Sequence, residues 1–204
     1  LDGGEVEACG NGTRCVAALL MAESGRHRVV VETVAGLLDA SQAAGGHVTV
    51  DMGPARTDCR DIPLAMAGDT GHVPLAMGPL ADPAATNIGN PHATFFVGDI
   101  AAVDLEGLGP RLEHHALFPE RANIGVAQLL SPERLRLRVW ERGVGVTRAC
   151  GSGACAAMVA AARRGLTGRR AEVLLDGGAL MLEWRPDGHV LMTGPVATSF
   201  TGVF

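Results

Sequence analysis

Small and apolar residues fall along this 204-residue chain in two kinds of run. Residues 13–22 and 154–164 are dense in alanine, leucine, valine and methionine without strand alternation, and each run closes on a glycine, Gly25 or Gly165. Both read as helices that end at a residue tolerant of a left-handed backbone. Three short runs follow each helix. After the first come residues 28–33, 37–41 and 47–52, turned at Gly36 and at Gly45-Gly46. After the second come residues 172–175, 179–184 and 189–193, turned at Gly177-Gly178 and Asp187-Gly188. The runs are bounded by turn residues and rich in β-branched or alternating positions, so they predict two strand meanders.

Between these blocks, Gly53-Pro54 breaks the first meander and opens a Pro- and Gly-rich stretch, residues 55–89, that reads as loop. A strand over 92–97 and a helix over 104–117, interrupted at Gly109-Pro110, come next. Residues 123–130 and 135–140 predict a hairpin across Ser131-Pro132. Leu135, Leu137 and Val139 alternate there with Arg134, Arg136 and Arg138, which is the period of a half-buried strand whose arginine face meets solvent. The chain is thus α+β, with one plan (a helix, then a meander) stated twice. The expected division is residues 1–53, rejoined by 196–204, against residues 54–195.

Composition narrows the function. The chain is 47% apolar and 19% charged, enough to bury a core. A net charge of −5 and 3% aromatic residues leave no basic, aromatic-studded surface for nucleic acid. The longest apolar stretches fall short of a bilayer span, so no membrane partner is expected. Five cysteines, an odd number with no CxxC pair and no zinc-type spacing, fit free thiols in a reducing, cytoplasmic setting with no metal. Every basic side chain among the 17 is arginine; without lysine the usual pyridoxal-phosphate Schiff base cannot form, and no cofactor is expected.

The repeat carries the chemistry. Ala8-Cys9-Gly10-Asn11-Gly12 precedes the first helix and Ala149-Cys150-Gly151-Ser152-Gly153 the second. A cysteine at a helix N-terminus sits by unpaired N–H groups and the positive end of the dipole, which favour thiolate and attract an anion. Glycine next to it leaves those N–H groups uncovered for a carboxylate, and Asn11 and Ser152 can add polar contacts or cap the helices. One such motif alone would be a buried filler at a helix start; two of them place two thiols about one substrate. They can act as base and acid on opposite faces of one carbon. Cys15 and Cys155 sit at different offsets from the motif cysteines and read as helix-packing residues; Cys59 reads as incidental.

Gly89-Asn90-Pro91-His92, Arg121-Ala122-Asn123 and Trp140-Glu141-Arg142-Gly143 are ordinary strand-end segments when taken singly. Together with the two Cys motifs, with Asp2-Gly3-Gly4-Glu5-Val6-Glu7 ahead of the first, and with Met192-Thr193-Gly194-Pro195, they occur in an order that resembles the diaminopimelate epimerase family. The resemblance implies two pseudo-symmetric α+β halves, each a strand meander around a central helix, with the active site in the cleft between them. It implies an isomerase that interconverts LL- and meso-diaminopimelate without cofactor, in the synthesis of lysine and peptidoglycan precursors. Cys9 and Cys150 would be the acid and base, and His92 and Glu141 would lie beside them and set their protonation. Gly10, Asn11, Gly151 and Ser152 would donate to the reacting carboxylate, while Asn90, Asn123, Glu141 and Arg142 would also bind substrate, Arg142 suiting a distal carboxylate.

The family also has an asparagine just before Asp2 and another further upstream, so an N-terminal segment is expected to precede Leu1. The expected partner is a small molecule, diaminopimelate, and a homodimer is left open. Two other readings stay open: a racemase of proline, hydroxyproline or histidine on the same scaffold, and a non-enzymatic thiol- or metal-binding relative.

Overall fold

A computed structural model describes residues 10–34, 36–198 and 202. Helix α1 spans Gly10–Ser24 and ends at Gly25, whose φ of 66° is the left-handed geometry expected of it. It is followed by β1 (Arg28–Thr33), β2 (Gly36–Gln42) and β3 (Val48–Pro54), an antiparallel meander. Helix α3 spans Gly151–Arg163 and ends at Gly165, with φ of 67°. It is followed by β11 (Arg170–Leu175), β12 (Gly178–Trp184) and β13 (His189–Gly194), again antiparallel. The two meanders join through their last strands, β3 against β13, antiparallel. Pairing of equivalent strands in opposite directions is what a local two-fold relation between repeats produces.

The central region completes the sheet with β6 (Ala84–Asn87), β7 (Pro91–Val97), β8 (Asn123–Ser131), β9 (Arg134–Glu141) and β10 (Gly145–Thr147). The order is β1-β2-β3-β13-β12-β11-β9-β8-β7-β6, with β10 on β9. Two neighbours are parallel, β7 with β8 and β9 with β11. Parallel neighbours need a crossover, and here each crossover is a helix: α2 (Leu105–Glu113) for the first and α3 for the second.

The sheet wraps α3, and every residue from Gly151 to Ala161 is buried. That explains the alanine-rich sequence, since larger side chains would hold the strands off. Met158 and Val159 fill the space the alanines leave. A second core lies beneath α2, where Leu105 and Leu112 meet Phe95, Ile124 and Val126. Strands β7 and β8 are therefore covered on both faces over their first five residues, where burial is unbroken, and reach solvent at their far ends.

Several elements depart from the sequence expectation. The loop over 55–89 contains β6 and a small hairpin of β4 (Ala76–Met77) and β5 (Leu80–Ala81). Strand β6 reads Ala-Ala-Thr-Asn and is buried on both faces, so it shows neither alternation nor strong β-formers. Pro54 does not end β3 early; it pairs with His189 next to a register shift, where its missing N–H is tolerated. Helix α2 is shorter than expected: Asp104 caps it by accepting from Gly107 N–H, and Pro110 sits inside it without breaking it. The arginines of β9 do not simply meet water. Arg134 pairs with Glu172, Arg136 with Asp176 and the Leu174 carbonyl, and Arg138 donates to Val103. Cys15 is exposed and so is not a packing residue, whereas Cys155 is buried as expected. Val196 packs against the larger core; most of the residues after 198, like Cys9 and those before it, lie outside the described residues. Among the described residues no helix is long and apolar enough to cross a membrane.

Candidate active site

The two motif helices start side by side. A Cβ placed on Gly151 would lie 3.6 Å from the Gly10 Cα and 3.1 Å from Met192 Sδ. A Cβ on Gly10 would lie 2.5 Å from Met192 Cε and 3.2 Å from Met52. Glycine is needed at both positions because the helix starts close on one another over methionines from β3 and β13. The first turns of the two helices thereby lie against one another.

Cys150 is the N-cap residue of α3, and its carbonyl accepts the first intrahelical bond from Ala154 at 3.0 Å. Its thiol is buried, 3.7 Å from Ser152 Oγ, and a Cβ on Gly153 would come within 3.1 Å of the sulfur. A helix start favours thiolate by itself, yet burial and the neighbouring Glu141 carboxylate push this thiol up to about 12, against the Gly153 N–H and the Ser152 hydroxyl. The magnitudes decide the sign. The helix-terminal effect contributes about 0.3–1 kcal/mol, whereas burial alone can shift a group by roughly 3–5 pKa units. Cys150 therefore rests as the neutral thiol, the acid form of the expected thiolate–thiol pair. Cys9 lies outside the described residues.

Glu141, at the end of β9, accepts a short hydrogen bond from the Thr147 hydroxyl on β10. The β9–β10 turn that carries it is held by Glu113 of α2, which is buried and accepts from Trp140 Nε1 at 2.7 Å and from Gly143 N–H at 3.1 Å. Gly109 lets α2 lie on that indole, since a Cβ there would meet Trp140 carbons at 2.4–2.6 Å.

Across the parallel β7–β8 pair, His92 sits directly opposite Asn123. His92 is 1% exposed, and its Nε2 lies 2.7 Å from Asn90 Oδ1. Burial and the Arg142 cation push it down to about 3, so the ring is neutral. With the Nε2 hydrogen on Asn90 Oδ1, Nδ1 is left as an acceptor, and it is buried with no hydrogen-bond partner among the described residues. Asn123 is a bridge: its Nδ2 donates to Pro91 O at 3.0 Å and its Oδ1 accepts from Arg142 N–H at 2.9 Å. The Arg142 guanidinium donates to Glu120 O at 3.0 Å.

Of the two roles open to Asn11, capping or polar contact, its side chain takes the second. Its Nδ2 donates to Ala149 O at 3.3 Å, and its Oδ1 accepts from Arg14 Nη2 at 2.9 Å. Thus Asn90, His92, Asn123 and Arg142 form one group, Glu141, Cys150 and Ser152 a second, and Gly10, Asn11 and Gly151 a third. The chain joins the first two groups where Glu141 precedes Arg142, and the Asn11–Ala149 bond joins the third to the residue before Cys150. Sequence reasoning missed Glu113, Thr147 and Arg14, which stand in none of the quoted motifs, and gave Met192 no role at the site; Glu113 and Met192 act through contacts distant in sequence, to Trp140 and Arg14.

The chain matches the family profile described as diaminopimelate epimerase over residues 1–57 and 84–199. It is 65% identical over 201 residues to the diaminopimelate epimerase of Rhodospirillum centenum, covering 98% of this chain and 69% of that protein. The diaminopimelate epimerase of Acidiphilium cryptum is 59% identical over 201 residues, covering 98% of this chain and 73% of that protein. Among solved structures, a hydroxyproline epimerase from Agrobacterium vitis superposes with a TM-score of 0.63 at 17% identity, over 93% of this chain and 64% of that one. That likeness shows a shared fold.

Proposed function

Because the chain belongs to the diaminopimelate epimerase family, we propose that it inverts one α-carbon of diaminopimelate, interconverting the LL and meso forms by proton transfer between Cys9 and Cys150. The observation that carries this reading is the contact of the two motif helix starts at Gly10 and Gly151. It brings the start of α3, capped by Cys150, against the start of α1, the helix that the first Cys-Gly motif precedes in sequence.

In one direction the Cys9 thiolate takes the α-proton and the electron pair passes onto the α-carbon and its carboxylate. The N–H groups of Gly10, Asn11, Gly151 and Ser152 hold that carboxylate as charge develops. The Cys150 thiol then delivers its proton to the opposite face, leaving a Cys9 thiol and a Cys150 thiolate. The reverse direction exchanges the roles. The raised pKa of Cys150 supports its place as the acid of the first direction. The carboxylate of Glu141 and the neutral His92, with its Nδ1 acceptor, suit the ammonium group on the reacting carbon. Arg142, placed by Asn123, and Asn90 hold the distal amino-acid end, so binding energy orients the reacting carbon. The enzyme so read works in the cytoplasm, in lysine and peptidoglycan-precursor synthesis. The reading keeps the division into residues 1–53 with 196–204, and 54–195.

The test is NMR of reduced protein with LL-diaminopimelate in D2O, with proline and histidine in parallel. Deuterium at one α-carbon of diaminopimelate, together with meso product, is expected. Exchange confined to proline or histidine would overturn the substrate but keep the chemistry. No exchange in any tube, with folded protein and free thiols, would overturn the function.

A further inference from the structure

Arg14 is a charged side chain only 7% exposed, one turn into α1. It reaches Met192 Sδ through Nη1 at 3.5 Å and Asn11 Oδ1 through Nη2 at 2.9 Å. It lies so close over Gly194 that a Cβ there would be 3.3 Å from Cζ and Nε. Asn11 passes the connection on, donating from Nδ2 to the carbonyl of Ala149, the residue directly before Cys150. The orientation of this amide is fixed by chemistry. A guanidinium can only donate and a carbonyl can only accept, so Oδ1 must face Arg14 and Nδ2 must face Ala149.

From this geometry we infer that Asn11 and Arg14 are positioning residues, a strut that holds the start of α3, and with it the Cys150 thiol, at a fixed place against the start of α1. The inference rests on the two-thiol reading above. It assigns the Asn11 side chain to the protein and leaves only the Asn11 backbone N–H for substrate. Arg14 is one turn along the same helix, so it orders the Asn11 amide locally. Met192 and Gly194 of β13 fix Arg14 in turn. The strut therefore ties α1, the segment before α3 and β13 together at the point where two reacting groups must face one carbon. A misplacement of about 1 Å at such a site can cost on the order of 100-fold in rate.

Two measurements on Asn11→Ala, Arg14→Met and Arg14→Lys test the strut. The first is the rate of alkylation of individual cysteines by iodoacetamide in the folded protein, followed by mass spectrometry. Asn11→Ala is expected to speed alkylation of Cys150 at least fivefold and to leave Cys155, one turn further into α3, unchanged. A general loosening of the helix would accelerate both, and that result, or an unmoved Cys150, would overturn the inference. The second is α-proton exchange. Asn11→Ala is expected to lower kcat about tenfold with KM within twofold, with Arg14→Lys, which keeps a donor, falling between wild type and Arg14→Met. A raised KM at unchanged kcat would make Asn11 a substrate ligand and overturn the inference. If wild-type protein exchanges no α-proton, the epimerase reading fails and the alkylation rates still decide the strut. If Arg14→Met does not fold, Asn11→Ala decides it alone.

Discussion

Gly151 and Met192 are packed so closely that a methyl group on the glycine would lie 3.1 Å from the methionine sulfur. The end of a methionine can shift, but here it is also held against Gly10 and Arg14. Gly151→Ala is expected to cost about 1–3 kcal/mol by overpacking, measured by urea unfolding, and to lower epimerisation by separating the helix starts. Met192→Leu in the Gly151→Ala background should return part of the stability. A fully stable Gly151→Ala protein would show that the contact is not limiting.

Cys150→Ala removes the acid of one direction and the base of the other. General acid–base groups contribute roughly 100- to 10,000-fold, so turnover should fall by at least the lower figure in both directions. Cys9→Ala should behave alike. Circular dichroism and melting temperature should stay near wild type for Cys150→Ala, because alanine fits where the thiol is buried. Near-normal turnover in either variant would end the two-thiol mechanism.

His92 makes stability pH-dependent with a definite sign. Its ring is pushed from 6.5 to about 3 by burial and by the Arg142 cation, so below pH 6.5 the unfolded chain takes up a proton that the folded one refuses. The stabilisation is whole above 6.5 and is lost as pH falls towards 3. The imidazole resonances of His92 should therefore keep their neutral positions on titration from pH 7.5 to 5, and His92→Gln should flatten the acid limb of the stability curve. A His92 ring that titrates near 6.5 in the folded protein would contradict the burial argument.

Asn123→Ala leaves Pro91 O and the Arg142 N–H without their bridge in a buried setting. Unsatisfied buried groups cost about 1–3 kcal/mol each, so a loss of that order is expected in chemical denaturation. The Arg142 turn should loosen with it and raise KM more than it lowers kcat. An unchanged KM would separate Asn123 from substrate binding.

The pattern of apolar runs and glycines located both central helices, their ends at Gly25 and Gly165, and all six strands of the two meanders, because those elements are amphipathic or bounded by residues with special backbone freedom. The second Cys-Gly motif likewise lies at a helix start, with Cys150 as the N-cap of α3, since a cysteine before a glycine-led helix is a local arrangement. Strand β6 was not legible. Burial on both faces removes the alternation that reveals a strand, and its short Ala-Ala-Thr-Asn run has no propensity to replace it.

What the sequence determined by itself is thus the inventory: two helices, two meanders and two Cys-Gly motifs ahead of the helices. Only the tertiary structure decided their states. Cys150 rests protonated because strands remote in sequence bury it and set Glu141 beside it, which outweighs the local pull of its own helix. Asn11 joins Ala149, 138 residues away in the chain, to Arg14 of its own helix. Local backbone preferences are written in neighbouring residues, whereas protonation and hydrogen-bond partners follow from dielectric and distance, which exist only once the β3–β13 pairing has brought the two repeats together.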